Sequence, residues 1–569
     1  MLPQGVPMRI PPRYLLAGTA LLAALLTVAV ASPPGVTNPI PGDPVSIAAG
    51  KVSGTLLASG VHAYFGVPFA APPIRDNRWR APQPVQPWTG VYTADRMPPE
   101  CVQPLRSPTI NHYFGDELAG EDCLYLNLWA PPAARRGQKL PVVVWIYGGA
   151  FNIGSASSPI YGGEELAQKG VIYVAPNYRL GIFGFLAGPE LTQESGHHAS
   201  GNWGFLDQVA ALQWVRRNIA AFGGDPANVT LIGQSAGSMS LSDLQASPLA
   251  KGLFTRLIGL SGTVWGGLGA GVPLAQAEQQ GVKLQKALDA ANISALRGFS
   301  SDKVEAAAQA AGVRAGPDID GYFLPDTVPH IFAAHQQTDA ALITGSTAND
   351  IGTAIPIRQA TSVAAYEAAA RQEFGASADE FLQLFPVHND QDVLREAELV
   401  GRDSGMGTDA RAWVQAQATT GKQPAYLYIL SRVQPFAPGV AYSDFNPATA
   451  GAYHMGDVPY WLGTYNAFNL FRVTRNWTAW DRKLSDDMQN VIVSFAKTGN
   501  PSTAQVTFPR YTPQNEVRLD FGNSITVEHL NPAQMDFLAA HPPALGARGG
   551  RGGRGRSGAA RGGPSPQMY

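Results

Sequence analysis

Short, continuously apolar runs alternate with longer amphipathic stretches along most of this chain. Residues 141–147 (PVVVWIY), 171–175 (VIYVA), 229–232 (VTLI), 257–260, 340–343 (AALI) and 425–430 (AYLYIL) are apolar throughout and several are rich in β-branched residues. Continuous rather than alternating hydrophobicity is what a strand covered on both faces of a parallel sheet requires. Between the second and third runs, 202–222 sets Leu206, Val209, Ala210, Leu212 and Val215 on one helical face. Strands separated by helices predict an α/β fold over 46–543, with a mostly parallel central sheet and helices on both faces. The sequence contains no internal repeat.

The two ends of the chain depart from this pattern. Arg9 and Arg13 precede an apolar run over 14–30, and Ala29-Val30-Ala31 offers small residues two apart before Ser32-Pro33-Pro34. This reads as a signal peptide, 1–31, and hence as a secreted or periplasmic protein. The alternative is an amino-terminal membrane anchor, since the run approaches spanning length. Once the signal is removed, no later stretch is long and apolar enough to span a bilayer. Residues 32–45 are Pro-rich and predict an extended linker. From 544 to 569 the chain is rich in Arg and Gly (546–563 read GARGGRGGRGRSGAARGG) and has too little apolar surface to form a core. It predicts a solvated tail. An anion-binding arm is the other reading, although no aromatic residue is interleaved to stack on bases.

The chain has 569 residues, 45 % hydrophobic and 15 % charged, enough apolar material to exclude global disorder. The formal net charge of -2 gives no overall field favouring nucleic acid or an anionic membrane. The two cysteines, Cys101 and Cys123, lie close enough in an exported chain to suggest one disulfide, worth about 3 kcal/mol by loop entropy if unstrained. Two buried thiols are the alternative.

The chemistry begins where the third strand ends. Gly233-Gln-Ser-Ala-Gly237 is a G-x-S-x-G pentapeptide between a β-branched strand and a probable helix. In that context the tight turn lifts the serine oxygen clear of the sheet, and glycines remove side chains that would clash with strand or helix. Ser235 is therefore the candidate nucleophile. The run Tyr147-Gly-Gly-Ala-Phe151, just after the first strong strand, is small enough for its N–H groups to approach an oxyanion, and the N–H of Ala236 is a third donor. A serine hydroxyl needs a base at neutral pH. His454, in 451–460 (GAYHMGDVPY), stands on a Gly-bounded loop after the last strong strand. The carboxylate that orients such a base lies between nucleophile and histidine in chain order. Asp350 is the only acid in 345–352 (GSTANDIG). The neighbouring His197 and His198 sit in a polar loop without metal-ligand spacing, so no metal and no cofactor is expected.

Several blocks then resemble the type-B carboxylesterase/cholinesterase family of the α/β-hydrolase superfamily: 121–131 (EDCLYLNLWAP), 177–186 (NYRLGIFGFL), 222–237 (FGGDPANVTLIGQSAG), 484–489 (LSDDMQ) and 495–501 (FAKTGNP). The resemblance runs from about 52 to 511. It implies an α/β-hydrolase fold and ester cleavage, with Ser235 as nucleophile, His454 as base, Gly149, Ala150 and Ala236 as oxyanion donors, and a Cys101–Cys123 disulfide. Three positions depart from the family pattern. Gln234 stands where Glu usually precedes the nucleophile, which makes it a candidate for tuning specificity. Ala150 replaces a third glycine. Asp350 replaces the usual Glu, one methylene longer. The expected partner is a small-molecule ester, with no nucleic acid required. An intact serine, histidine and acid argue against a non-catalytic adhesion protein on the same fold. The residues also admit a different hydrolase chemistry, such as a lactonase or amidase, or a surface-binding protein acting through the Arg/Gly tail. The acyl and alcohol groups and the oligomeric state are not legible.

Overall fold

The structure, a computed structural model, describes residues 38–542 apart from 105–114, 116, 268, 353–354 and 443–445. The signal segment and the Arg/Gly-rich tail, 544–569, lie outside the described residues. The frame is an 11-stranded sheet. In chain order its strands are β1 (Thr55–Leu56), β2 (His62–Pro68), β3 (Tyr125–Ala130), β4 (Leu140–Ile146), β5 (Ile172–Pro176), β6 (Gly224–Gln234), β7 (Arg256–Leu260), β8 (Ala341–Thr347), β9 (Ala425–Leu430), β10 (Val517–Phe521) and β11 (Ile525–His529). Across the sheet the order is β11-β10-β9-β8-β7-β6-β4-β5-β3-β2-β1. Neighbours from β10 to β5 are parallel. Both edges are antiparallel.

The apolar runs account for the centre of this sheet. Val142, Val143, Val144, Trp145 and Ile146 of β4, Leu231 and Ile232 of β6, and Leu257 and Ile258 of β7 expose no surface. A strand so covered has no polar face to alternate with. β6 begins at Gly224, earlier than its apolar part. Gly224 pairs with Leu140, and the ladder then breaks and resumes at Val229, so residues 225–228 belong to the strand without being in its core.

The principal helices are α1 (Trp203–Asn218), α2 (Ala236–Ala246), α3 (Val363–Phe374), α4 (Ala378–Leu384), α5 (Asp390–Asp403), α6 (Met406–Thr420), α7 (Ala479–Thr498) and α8 (Pro532–Ala540). The helix expected over 202–222 is α1 followed by a tighter 3₁₀ turn, Ile219–Phe222. Gly223 stops it with a left-handed φ of 91°, which frees its N–H for the carbonyls of Ala220 and Ile219. Helices α3, α4, α5 and α8 enclose a second, smaller core in which Phe374 and Phe385 stack on Phe381 and Phe537 meets Phe374 edge-on.

Cys101 and Cys123 form a disulfide with both residues buried. At the amino-terminal end, Ile40 is buried and Asp43 accepts from the Gly54 N–H (2.7 Å) and the Tyr64 hydroxyl (2.8 Å). Residues assigned to the linker by sequence thus pack on the domain from 40 onward. Among the described residues no helix is long and apolar enough to cross a membrane.

Parallel register brings the functional loops together. Ile146 pairs with Gly233, Gly233 with Gly259, Gly259 with Thr344 and Thr344 with Leu427. The segments leaving β4, β6, β7, β8 and β9 therefore emerge along one edge of the sheet, the carboxyl edge where open α/β folds place their sites.

Candidate active site

Strand β6 ends at Gln234 and helix α2 begins at Ala236, so Ser235 alone makes the turn. Its backbone sits at φ 55° and ψ −125°. This is a costly conformation for a residue with a side chain, and it persists only where the surroundings over-determine it. Here the Ser235 N–H donates to the Leu260 carbonyl (2.8 Å) and its own carbonyl accepts from the Met239 N–H (2.9 Å). The flanking glycines are steric necessities. A Cβ on Gly237 would lie 2.0 Å from the Ile146 carbonyl oxygen, and one on Gly233 would lie 2.6 Å from the Gly237 backbone.

The loop after β4 closes on this turn. A Cβ on Gly148 would lie 2.8 Å from the Ser235 Cβ. Gly149, Ala150 and Phe151 all have positive φ (109°, 53° and 61°). The turn is held by the Asn152 and Ile153 N–H groups donating to the Gly149 carbonyl (3.0 and 3.1 Å), and by the Gly181 N–H donating to that of Phe151 (2.7 Å). The Phe151 ring anchors it edge-on against Phe185 and Phe205. Among the described residues, none of the N–H groups of Gly149, Ala150 and Ala236 has a hydrogen-bond acceptor.

Asp350 and His454 come together from loops 104 residues apart, with Asp350 Oδ1 2.5 Å from His454 Nδ1. Asp350 is fixed from behind: its Oδ2 accepts from the Thr347 N–H and hydroxyl (both 3.0 Å), and its Oδ1 from the Ile351 N–H (2.7 Å). Burial works against its charge. The opposing influence of His454, the Ser261 hydroxyl and the Thr347 N–H outweighs burial and holds the carboxyl below its usual range. The two loops are stitched by the Asn349 N–H donating to the Ala452 carbonyl (2.9 Å) and the Ala452 N–H donating to Asn349 Oδ1 (2.9 Å).

On its other side, His454 does not meet Ser235 through any hydrogen bond among the described residues. Its Nε2 lies 3.1 Å from the side-chain Nε2 of Gln234. Gln234, expected to act on specificity, is fully buried and touches the His454 ring.

Several neighbours of the site left no clear mark in the sequence. Ser261, with φ 52°, follows β7 as Ser235 follows β6. Asp457 is buried three residues beyond His454 and accepts from the Tyr428 hydroxyl (2.7 Å). Burial pushes its carboxyl up to about 6. Asp409, on the first turns of α6, is pushed up to about 7 by burial and then by the charge of Asp350. A strand-end position was the only available signal for Ser261; the two acids had none. His197 stacks on Tyr322, with ring centroids 4.0 Å apart. Among the described residues, no group of three or more His, Cys, Asp and Glu side chains is placed to hold a metal ion.

Comparison with known proteins agrees with this frame. The Carboxylesterase family model matches residues 42–538. A fumonisin B1 esterase from Sphingopyxis macrogoltabida is 34 % identical over 497 residues, covering 84 % of this chain and 86 % of the relative. A para-nitrobenzyl esterase from Bacillus subtilis is 33 % identical over 491 residues, covering 84 % and 95 %. A solved PNB esterase structure superposes with a TM-score of 0.71 at 30 % identity, covering 87 % of this chain and 99 % of that one. With its parallel sheet and its strained serine turn, the chain belongs to the carboxylesterase family, within the α/β-hydrolase superfamily, and is a carboxylic ester hydrolase.

Proposed function

We propose that this enzyme cleaves neutral, small to medium carboxylic esters through an acyl-enzyme intermediate. Ser235 is the nucleophile, His454 the general base and Asp350 its orienting acid. In the first step Ser235 Oγ bonds to the ester carbonyl carbon while its proton passes to His454 Nε2. Asp350 holds the opposite nitrogen protonated and stabilises the imidazolium that forms. The N–H groups of Gly149, Ala150 and Ala236 take the negative oxygen; their lack of any other acceptor among the described residues supports that role. The proton then goes from His454 to the leaving alkoxide as the carbon–oxygen bond breaks. A water activated by the same base repeats the sequence and releases the acid.

The observation that carries this reading is the Asp350–His454 pair reaching Gln234, the residue adjoining a serine held in the strained turn. The two relatives are named for unlike esters, fumonisin B1 and para-nitrobenzyl esters, at nearly equal identity. The shared fold therefore does not choose the ester, and the substrate class rests on the uncharged Gln234. The signal segment at 1–31, together with the Cys101–Cys123 disulfide, supports export. Treatment with a neutral organophosphate tests the mechanism. It should attach one phosphoryl group per chain, at Ser235, and abolish esterase activity. Labelling that persists undiminished in Ser235→Ala places the nucleophile elsewhere.

A further inference from the structure

Gln234 presents an unusual arrangement. Its amide nitrogen faces His454 Nε2 at 3.1 Å. Its Oε1 is buried and, among the described residues, has no hydrogen-bond partner. It abuts Gly148, where a Cβ would come within 2.8 Å of it. His454 gives its Nδ1 to Asp350, so with the proton on Nδ1 the Nε2 presents a lone pair. The group facing that lone pair is the Gln234 NH₂, a donor. Among the described residues no hydrogen bond joins His454 Nε2 to the Ser235 hydroxyl, so the amide is the partner of that lone pair at rest.

We infer that Gln234 is a positioning residue for the base: its amide donates to His454 Nε2 in the resting enzyme and holds the imidazole neutral and oriented until substrate brings Ser235 into place. A hydrogen bond donated to the lone pair competes with the proton that would otherwise take it, and so favours the neutral ring. When the ring later carries the proton from Ser235, a half-turn of the amide presents the unpartnered Oε1 as an acceptor. A glutamate at this position has only acceptors when ionised and favours the charged ring alone. The amide thus keeps the base available at lower pH than a carboxylate would.

Other groups bear on the same ring. Asp350 faces it from the loop after β8. Asp457, on the ring's own loop, interacts electrostatically with it and accepts from the Tyr428 hydroxyl of β9. Asp409 of α6 acts through Asp350. Tyr453, next to His454 in sequence, is held by Arg475 (3.2 Å). The β6–α2 turn contributes only the uncharged Gln234 and Ser235. All of these remain in place when Gln234 alone is changed, so their contributions cancel in the comparison.

The inference rests on the triad reading, and the test separates the two. The pH dependence of kcat/KM for a neutral ester, which reports the free enzyme, is measured in wild type, Gln234→Glu and Gln234→Met, with thermal unfolding as a check on folding. In Gln234→Glu the midpoint of the acidic limb should rise by about one pH unit or more, from a unit charge a few ångströms from the ring after screening. In Gln234→Met, which keeps the bulk and loses the donor, it should rise by a smaller amount. A structural role alone lowers the unfolding temperature or kcat at every pH and leaves the midpoint where it was. If both variants fold and keep the wild-type midpoint while His454→Ala is inactive, the inference is wrong and the triad stands. If His454→Ala stays active, the triad reading itself falls.

Discussion

The turn that carries Ser235 and the two loops that carry His454 and Asp350 meet at one edge of the sheet but are held in place differently. The serine turn is contiguous in sequence and fixed by backbone contacts: glycines at 233 and 237 let strand and helix approach where no side chain fits. The Asp350–His454 arm is assembled from segments 104 residues apart and fixed by hydrogen bonds to polar side chains, the Asp350 carboxylate accepting from the Thr347 and Ile351 N–H groups and Asn349 Oδ1 from the Ala452 N–H. Steric change should therefore disable the first region, and isosteric changes of charge the second. Gln234 belongs to the first region in sequence and to the second by contact.

The largest effect should come from removing either end of the proton path. Ser235→Ala and His454→Ala should each lower kcat by about 10⁶, and the double variant should be little worse, because the two act as one unit. Steady-state kinetics on purified proteins of unchanged unfolding temperature checks this. More than a tenth of wild-type activity in Ser235→Ala would break the proposed mechanism. Asp350→Asn comes next. It changes a charge at nearly constant volume and should lower kcat by about 10⁴, through the wrong imidazole tautomer. Near-normal turnover would pass the orienting role to another acid, with the buried Asp457 of the His454 loop the candidate. The smallest effect concerns the residue where the regions touch. Comparing kcat/KM for a choline ester and its neutral carbon isostere should show no tenfold preference for the cation in wild type. Gln234→Glu should move the ratio toward the cation by about tenfold, since a unit charge near 5 Å is worth roughly 3 kcal/mol before screening. A wild-type preference of tenfold or more for choline would remove Gln234 as the source of selectivity.

Legibility in the sequence followed the same division. The central strands announced themselves because burial on both faces demands unbroken apolar runs, as in β4 and β9. The edge of the sheet did not. In β10, Arg518 and Asp520 interrupt the pattern, and the structure shows why a charge is tolerated there: Arg518 is paired with Asp403 (2.6 Å) and Glu528 (2.8 Å). In β11 most side chains face solvent, so no run exists to read. The strained turn at Ser235 was readable from five consecutive residues in context. Asp350 was readable as the only acid after a strand, and the structure sets it against His454. The contact between Gln234 and His454 joins positions 220 apart, and no local pattern encodes it. Asp409 and Asp457 were hidden for the same reason, since a buried acid looks like any other acid until its neighbours are known.

The glycine packing around the serine turn also bears on how this scaffold diversifies. A Cβ at 148, 237 or 262 would collide with backbone or with Ser235 itself, so a randomised library at those positions should return glycine almost exclusively. Variation that alters what the enzyme accepts must be sought in the side chains that close over the turn from other loops. The centre of the site is then an inherited constant, and new substrates are a matter of its periphery.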